Sequence, residues 1–217
     1  MSPPLVISFF TKETYYEKEI QSLIRSLNEF YLEYDIEGLD SKGNWNENCH
    51  LKPYFILRKL KEHNRPILWL DADAIVVSPL SFFDNITHDL AVRILEPLPN
   101  DHHSKVISST LYVKPTKSGF TYVENWCEIS KSKWKIQNDQ SCLRDVIFGD
   151  VKPENILSLP PQYCKISGLV IDDYIKEKAV IQQTQASRLY QKIIDKEVED
   201  LPFLQYLSDL ELKQMRM

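Results

Sequence analysis

No stretch of this chain is apolar for long enough to cross a bilayer, which takes about 20 consecutive apolar residues. The first apolar run, Leu5 to Phe10, is too short for a secretion signal and has no basic segment before it. Glycine is scarce, 5 of 217 residues, and Phe10-Thr11-Lys12-Glu13 after that run contains none. A glycine-rich phosphate loop at the first strand is therefore excluded. Positive charge is not in excess. The formal net charge is -5, which excludes a nucleic-acid-coating surface. The cysteines (Cys49, Cys127, Cys142, Cys164) are far apart and form no CxxC pair, so a structural zinc site is excluded. Without an export signal they read as reduced thiols of a cytoplasmic protein, and the sequon at Asn85-Ile86-Thr87 carries no weight.

What is present is an ordinary globular composition, 43% hydrophobic and 26% charged, in an order that alternates strand and helix. Leu5 to Phe10 reads as a buried strand. A helix follows from about Glu13 to Phe30, with Tyr16, Ile20, Leu23, Leu27 and Phe30 at three- and four-residue steps. Tyr31 to Leu39 reads as a second strand, closed by turn chemistry at Asp40 to Asn44. Pro53 lies in the first turn of a helix running to about His63, and Pro66 to Leu70 is a third strand. This order predicts an α/β, Rossmann-like fold: a mainly parallel mixed sheet with helices on both faces. Ile75–Val77, Leu90–Ile94 and Val106–Val113 are further strands, and Gly119–Ile129 and Asp139–Ile147 further helices. Val180–Gln185 reads as a late strand or loop and Ala186–Glu199 as a helix. One domain is expected over residues 1–200, with a tail or short helix over 201–217. No repeat or low-complexity segment appears.

The strongest chemical signal is Asp71-Ala72-Asp73, directly after the apolar run Ile67-Leu68-Trp69-Leu70. In α/β sheets, ligands gather at the carboxyl ends of strands. Two carboxylates held there repel one another and call for a cation. Mn²⁺ or Mg²⁺, shared with diphosphate oxygens, meets that need, and the small Ala72 lets phosphates approach. The plain alternative is an acidic strand-end loop facing water. Asn138-Asp139-Gln140 has a complete structural explanation as a helix cap followed by a first-turn acid. Lys52 and Arg58 sit on the helix before the motif strand, six residues apart, so at most one of them reaches a phosphate or base. Arg58 fits a solvated basic face better. His102-His103 occurs in a polar loop, where neighbouring side chains diverge, and reads as surface or acceptor loop rather than a metal pair.

Taken with its flanks, the sequence resembles the GT-A glycosyltransferases of the nucleotide-diphospho-sugar transferase group, compact members of which occur in bacteria and large algal viruses. The matching pieces run in order from Lys52-Pro53-Tyr54-Phe55-Ile56 through Leu70-Asp71-Ala72-Asp73 and Ser108-Ser109-Thr110-Leu111-Tyr112-Val113. They continue in Asn138-Asp139-Gln140, Leu159-Pro160-Pro161-Gln162-Tyr163-Cys164 and Gln185-Ala186-Ser187-Arg188. The resemblance implies a UDP-sugar donor, a glycan or glycoprotein acceptor, and a lean towards retention of configuration. It implies Asp73 as first metal ligand, Asp71 as its partner, and a late third ligand. That ligand is often a histidine, where this chain has Gln183; a polar strand residue is the alternative reading. Phe10, Thr11 and more weakly Tyr15 are expected to hold the nucleoside, Asp40 to accept from a base N–H or ribose hydroxyl, and Lys52 to contact phosphate or base. Asp139, with Gln140 beside it, is expected near the anomeric carbon.

Two other functions compete with this one. A nucleotidyltransferase would share the acidic pair but normally carries the glycine-rich loop that is missing. A non-catalytic nucleotide-sugar or carbohydrate-binding domain would keep the fold, and Gln183 is its best support.

Overall fold

The computed structural model describes residues 3–149, 155–169, 172 and 176–186. The chain divides into two compact units, Met1–Thr184 and Gln185–Met217, and the description below concerns the first. The expected boundary near residue 200, most of the helix expected over Ala186–Glu199 and the tail 201–217 lie outside the described residues.

Along the chain come β1 (Leu5–Thr11), α1 (Tyr16–Glu29), β2 (Tyr34–Leu39), α2 (Trp45–Cys49), α3 (Leu51–His63), β3 (Ile67–Leu70) and β4 (Ala74–Val76). A 3₁₀ turn (Ser81–Asn85) precedes β5 (Leu90–Ile94), β6 (Val106–Val113), α4 (Lys117–Lys133), α5 (Asp139–Phe148) and β7 (Ile156–Ser158). A second 3₁₀ turn (Pro161–Cys164) leads to β8 (Lys165–Ile166) and β9 (Ile181–Gln183). The main sheet has the order β2-β1-β3-β6-β5-β7. β6 is antiparallel to both β3 and β5, and the remaining pairings are parallel. The mainly parallel mixed sheet expected from the sequence is thus the one formed. A smaller sheet, β4-β9-β8, begins where β3 ends.

Alternation along the strands divides the core into two layers. Leu5, Ile7 and Phe9 of β1, with Ile67 and Trp69 of β3, pack under α3, α4 and α5. Val6 of β1, with Leu68 and Leu70 of β3, packs against Ile20, Leu23 and Leu27 of α1 and against β4. Helices therefore cover both faces, as parallel strands require. Among the described residues no helix is long and apolar enough to cross a membrane.

Local chemistry sets the helix starts. α1 begins later than its apolar period suggests, because Glu13 adopts a left-handed backbone (φ 59). Thr14 then accepts the Tyr16 N–H through its hydroxyl at 3.2 Å, and Glu17 reaches back to the Glu13 N–H at 3.0 Å. β2 likewise starts after Tyr31, whose left-handed conformation (φ 54) ends the preceding helix segment. α5 starts where Asn138 accepts the Ser141 N–H at 2.8 Å. The short α2, β7 and β8 were not expected from the sequence, since segments this brief carry no period.

Candidate active site

The carboxyl ends of β1, β2 and β3 lie side by side, with Phe10 opposite Gly38, Thr11 opposite Leu39, and Asp71 just beyond β3. The Asp71 N–H donates to the Ser109 carbonyl at 3.0 Å, so β6 fixes the motif backbone. The Ala74 N–H returns to the Asp71 carbonyl at 2.9 Å, closing a tight turn around Ala72 and Asp73. Ala72 is 7% exposed and packs inward with Leu70 and Ala74, because its methyl completes the α1-side apolar layer.

Lys52 is the centre of the site's electrostatics. Its Nζ lies 2.9 Å from Asp71 Oδ1 and 3.0 Å from Asp139 Oδ2, and it donates to Ser108 Oγ at 3.2 Å. Ser108 Oγ donates in turn to Asp139 Oδ2 at 3.1 Å, and Trp69 Nε1 donates to Asp71 Oδ1 at 2.8 Å. Burial by itself pushes the Lys52 pKa down, but the carboxylates of Asp139 and Asp71 more than offset this, and the pKa is raised. Lys52 therefore stays charged and its reach ends at these groups. Any phosphate or base contact expected of it would be shared with the two buried or half-buried carboxylates that hold the ammonium. Arg58 points elsewhere, as expected, and donates to Glu37 at 2.7 and 3.1 Å.

Gln183 arrives from far along the sequence. β9 pairs antiparallel with β4 so that Gln183 faces Ala74, and the Thr184 N–H and Oγ1 both donate to the Asp73 carbonyl at 3.1 Å. The Gln183 side chain is buried, 1% exposed. Its Nε2 donates to Thr110 Oγ1 at 3.0 Å and to the Ser109 carbonyl at 3.3 Å, the same carbonyl that receives the Asp71 N–H. Its Oε1 is buried with no hydrogen-bond partner. Since both partners of Nε2 include a carbonyl that can only accept, the amide cannot be turned over to hide that oxygen. A buried amide oxygen without a donor is costly unless a cation or donor meets it. Gln183 thus brings an unpartnered amide oxygen into the segment that pairs beside Asp71 and Asp73.

Other expected residues divide between the site and the frame around it. Asp139 is 4% exposed and faces Lys52. Gln140 is used structurally: its Oε1 accepts the Ser108 N–H at 3.3 Å and its Nε2 donates to the His103 carbonyl at 3.5 Å. Thr11 is buried, its hydroxyl 2.9 Å from Thr14 Oγ1, which spends it on the turn into α1 rather than on a base edge. Phe10 is half-buried with its ring over Gly38, where a Cβ would come within 2.8 Å of the ring. Phe9 packs in the core against Phe55 and Trp69, so of the two only Phe10 is available to a ligand. Tyr15 packs on Tyr16, ring centroids 4.2 Å apart. Asp40 is exposed at the sheet edge and pairs with Lys12 at 3.1 Å. His102 and His103 do not diverge as expected. Their rings stack at 4.3 Å, because the loop turns tightly enough for His102 Nδ1 to accept the Ser104 N–H.

Three groups near the motif are not among the site residues expected from the sequence. Glu19 on α1 is 3% exposed; burial, then the charge of Asp73, pushes its carboxyl up to about 7. Tyr16, one turn earlier, is pushed up by burial and by Tyr15, with Asp73 adding to it. The Cys49 thiol is raised by burial and then by Asp139. The spacing of Tyr16 and Glu19 on α1 was the available clue, but on an amphipathic helix it reads as an edge of the apolar stripe.

No protein-family model matches the chain by sequence, and neither does any curated protein. Solved structures do match by fold. A glycosyltransferase involved in glycosylation of the major capsid of PBCV-1 superposes with a TM-score of 0.63 at 13% identity, covering 90% of this chain and 100% of that one. The glycosyltransferase GlyE of Streptococcus pneumoniae TIGR4 gives 0.55 at 16% identity, over 85% of this chain and 55% of that one. Mouse xyloside xylosyltransferase 1 gives 0.56 at 10% identity, over 85% and 98%. The chain has the GT-A, Rossmann-like fold.

Proposed function

We propose that the protein is a metal-dependent glycosyltransferase that moves a sugar from a UDP-sugar to a glycan or glycoprotein acceptor. One observation carries this reading: beyond the carboxyl end of β3, the ammonium of Lys52 is held between Asp71 and Asp139, and β9, with the unpartnered Oε1 of buried Gln183, pairs with the strand that follows the acidic motif. Asp71, Asp73 and Gln183 would hold Mn²⁺ or Mg²⁺. Bound there, the ion supplies positive charge against the diphosphate leaving group.

The chain's own residues do the rest. Phe10 offers an aromatic face for the base, and the exposed Asp40 carboxylate accepts from a base N–H or a ribose hydroxyl. Lys52 and Ser108 hold the Asp139 carboxylate in one orientation. From there Asp139 accepts hydrogen bonds from donor-sugar hydroxyls and places negative charge beside the anomeric carbon as positive charge develops on it. Gln140, through Ser108 and His103, holds the first turn of α5 against β6. The fold likeness to glycosyltransferases supports this assignment.

Release of UDP from UDP-glucose, UDP-galactose and UDP-N-acetylglucosamine, assayed with Mn²⁺ and with EDTA, tests it. No Mn²⁺-dependent release from a panel of UDP-sugars would overturn it. A second reading, a non-catalytic nucleotide-sugar or carbohydrate-binding domain, draws on Lys52, which compensates Asp71 and Asp139 without any metal. Tight binding of donor without turnover would favour that reading.

A further inference from the structure

Among the described residues, the large apolar side chains that stand exposed are Tyr31, Trp45, Tyr54, Trp134 and Ile136. Scattered singly, such residues need no explanation, so their places in the fold decide which of them matter. Tyr31 precedes β2, at the amino ends of the strands and away from the acidic motif. Tyr54 spends its hydroxyl on the Cys127 carbonyl at 3.0 Å, and Lys135 Nζ lies over the Trp134 ring at 5.2 Å. Ile136 has no ring. Trp45 differs from all of these. It is 49% exposed, and among the described residues its ring has no aromatic or cationic neighbour and its N–H no hydrogen-bond partner.

α2 sets where that ring stands. The Asn44 side chain accepts the Glu47 N–H at 3.0 Å and starts the helix, which ends at Cys49. Asn46 Nδ2 donates to the Trp134 carbonyl at 2.7 Å, and His50 Nε2 donates to the Gln137 carbonyl at 2.8 Å. Both ends of α2 are therefore tied to the segment that leads directly into Asn138 and Asp139. Trp45 and Cys49 are four residues apart and share one face of the helix. The Cys49 end of that face borders the site. Its thiol is raised by burial first and then by Asp139, with Lys52 opposing and Asp71 and Asp73 adding, so all four charged groups act on it. The Trp45 end lies about 6 Å further along, at a rise of about 1.5 Å per residue, and opens to solvent.

One face of a firmly tied helix thus runs from the charged groups of the site to an exposed indole. The face of an indole is apolar and electron-rich, and it receives the weakly positive C–H face of a pyranose ring. On the glycosyltransferase reading the donor sugar lies inside, between the diphosphate at Asp71 and Asp73 and the carboxylate of Asp139. A ring at the solvent end of α2 meets the second substrate. We propose that Trp45 is the stacking platform for a pyranose ring of the acceptor, and that α2 is the wall along which this ring is held towards Asp139. The assignment rests on the glycosyltransferase reading and narrows the acceptor to a saccharide with an apolar ring face.

The test compares the wild type with Trp45→Ala and Trp45→Phe, each in the presence of UDP and Mn²⁺. The probes are the methyl glycosides of β-glucose, β-galactose, α-mannose and β-N-acetylglucosamine, followed by saturation-transfer NMR. Calorimetry with UDP and Mn²⁺ runs in parallel. At least one glycoside should bind the wild type, and Trp45→Ala should bind it about tenfold more weakly. Trp45→Phe keeps an aromatic face and should recover most of the affinity. UDP should bind all three proteins equally. Cys49 supplies a second measurement, because Cys127, Cys142 and Cys164 are buried and it is not: bound glycoside should slow its alkylation by iodoacetamide. No glycoside binding to the wild type, full affinity in Trp45→Ala, or alkylation unchanged at saturating glycoside would each overturn the proposal. A matching loss of UDP affinity in Trp45→Ala would overturn it too, by giving the ring to the nucleotide. Absence of UDP binding in the wild type counts against the glycosyltransferase reading, while glycoside binding that fails only in Trp45→Ala supports the platform whatever UDP does.

Discussion

Lys52 shows how one residue couples packing to chemistry. It is buried between Asp71 and Asp139, so its removal leaves carboxylates with no counter-charge. Breaking a buried pair from one side costs about 3–5 kcal/mol. Lys52→Met should therefore lower stability on that order in urea titrations, and a loss below about 1 kcal/mol would mean that the carboxylates find other partners. Asp73→Ala tests the metal chemistry directly. Calorimetry with UDP and Mn²⁺ should show metal-dependent binding abolished in a protein whose circular dichroism is unchanged. Wild-type affinity in that variant would remove Asp73 from the donor set. Gln183 decides the third ligand. Imidazole donates to Mn²⁺ more strongly than an amide oxygen, so Gln183→His should tighten Mn²⁺ binding. Equal or weaker binding would mean that the buried position is shaped for an oxygen.

Among the elements, two charged staples hold the frame of the site. On one side α3 is tied to β2. Lys59, 2% exposed, sits among Asp35, Glu37 and Glu62, and Arg58 forks onto Glu37. The Arg58 hydrogen bond, together with Lys59, holds the Glu37 carboxyl down at about 2 against an ordinary 4.5. A depressed carboxyl stabilises the fold above its unfolded pKa and loses that contribution as pH falls towards its folded value. The contribution is thus whole above about pH 4.5 and gone near pH 2. Because Glu37 is one-third exposed, it amounts to about 1 kcal/mol or less. Thermal melts should show wild type above Glu37→Gln at pH 6, with the gap closing by pH 2.5; a gap independent of pH would contradict the assignment. On the other side the buried pair Arg93–Asp172 grips β8, with Arg93 donating to the Cys164 carbonyl at 2.6 Å and Asp172 accepting the Ile166 N–H at 2.6 Å. Ile166 pairs with Gln183, so this grip also positions the β9 strand beside the motif.

For the whole molecule, a ligand that binds only the folded state adds stability by mass action. At 100 times its Kd it contributes about 2.7 kcal/mol, a shift of several degrees in Tm for a domain this size. UDP with Mn²⁺ should give such a shift, while UDP with EDTA should give little. Equal shifts in both conditions would show that nucleotide binding does not need the metal.

The parts legible in the sequence were those whose cause is local. Apolar runs placed β1, β3, β5 and β6 because a strand buried on both faces has to be apolar throughout. Asn138 and Pro53 marked helix starts because capping and a fixed φ act within one turn. Asp71 and Asp73 were legible because two acids after a buried strand demand compensation. The tertiary structure alone decided what provides it. Lys52 reads in sequence as one more helix lysine, and only the packing of α3 against β3 and α5 puts its ammonium between two carboxylates. Strand direction was equally hidden: nothing local tells β6 to run against its neighbours. The pairing of β9 with β4, which carries Gln183 to the motif, joins distant segments whose short strands have no period of their own. Long-range pairing is set by the fit of whole surfaces, and a sequence read one window at a time does not contain that fit.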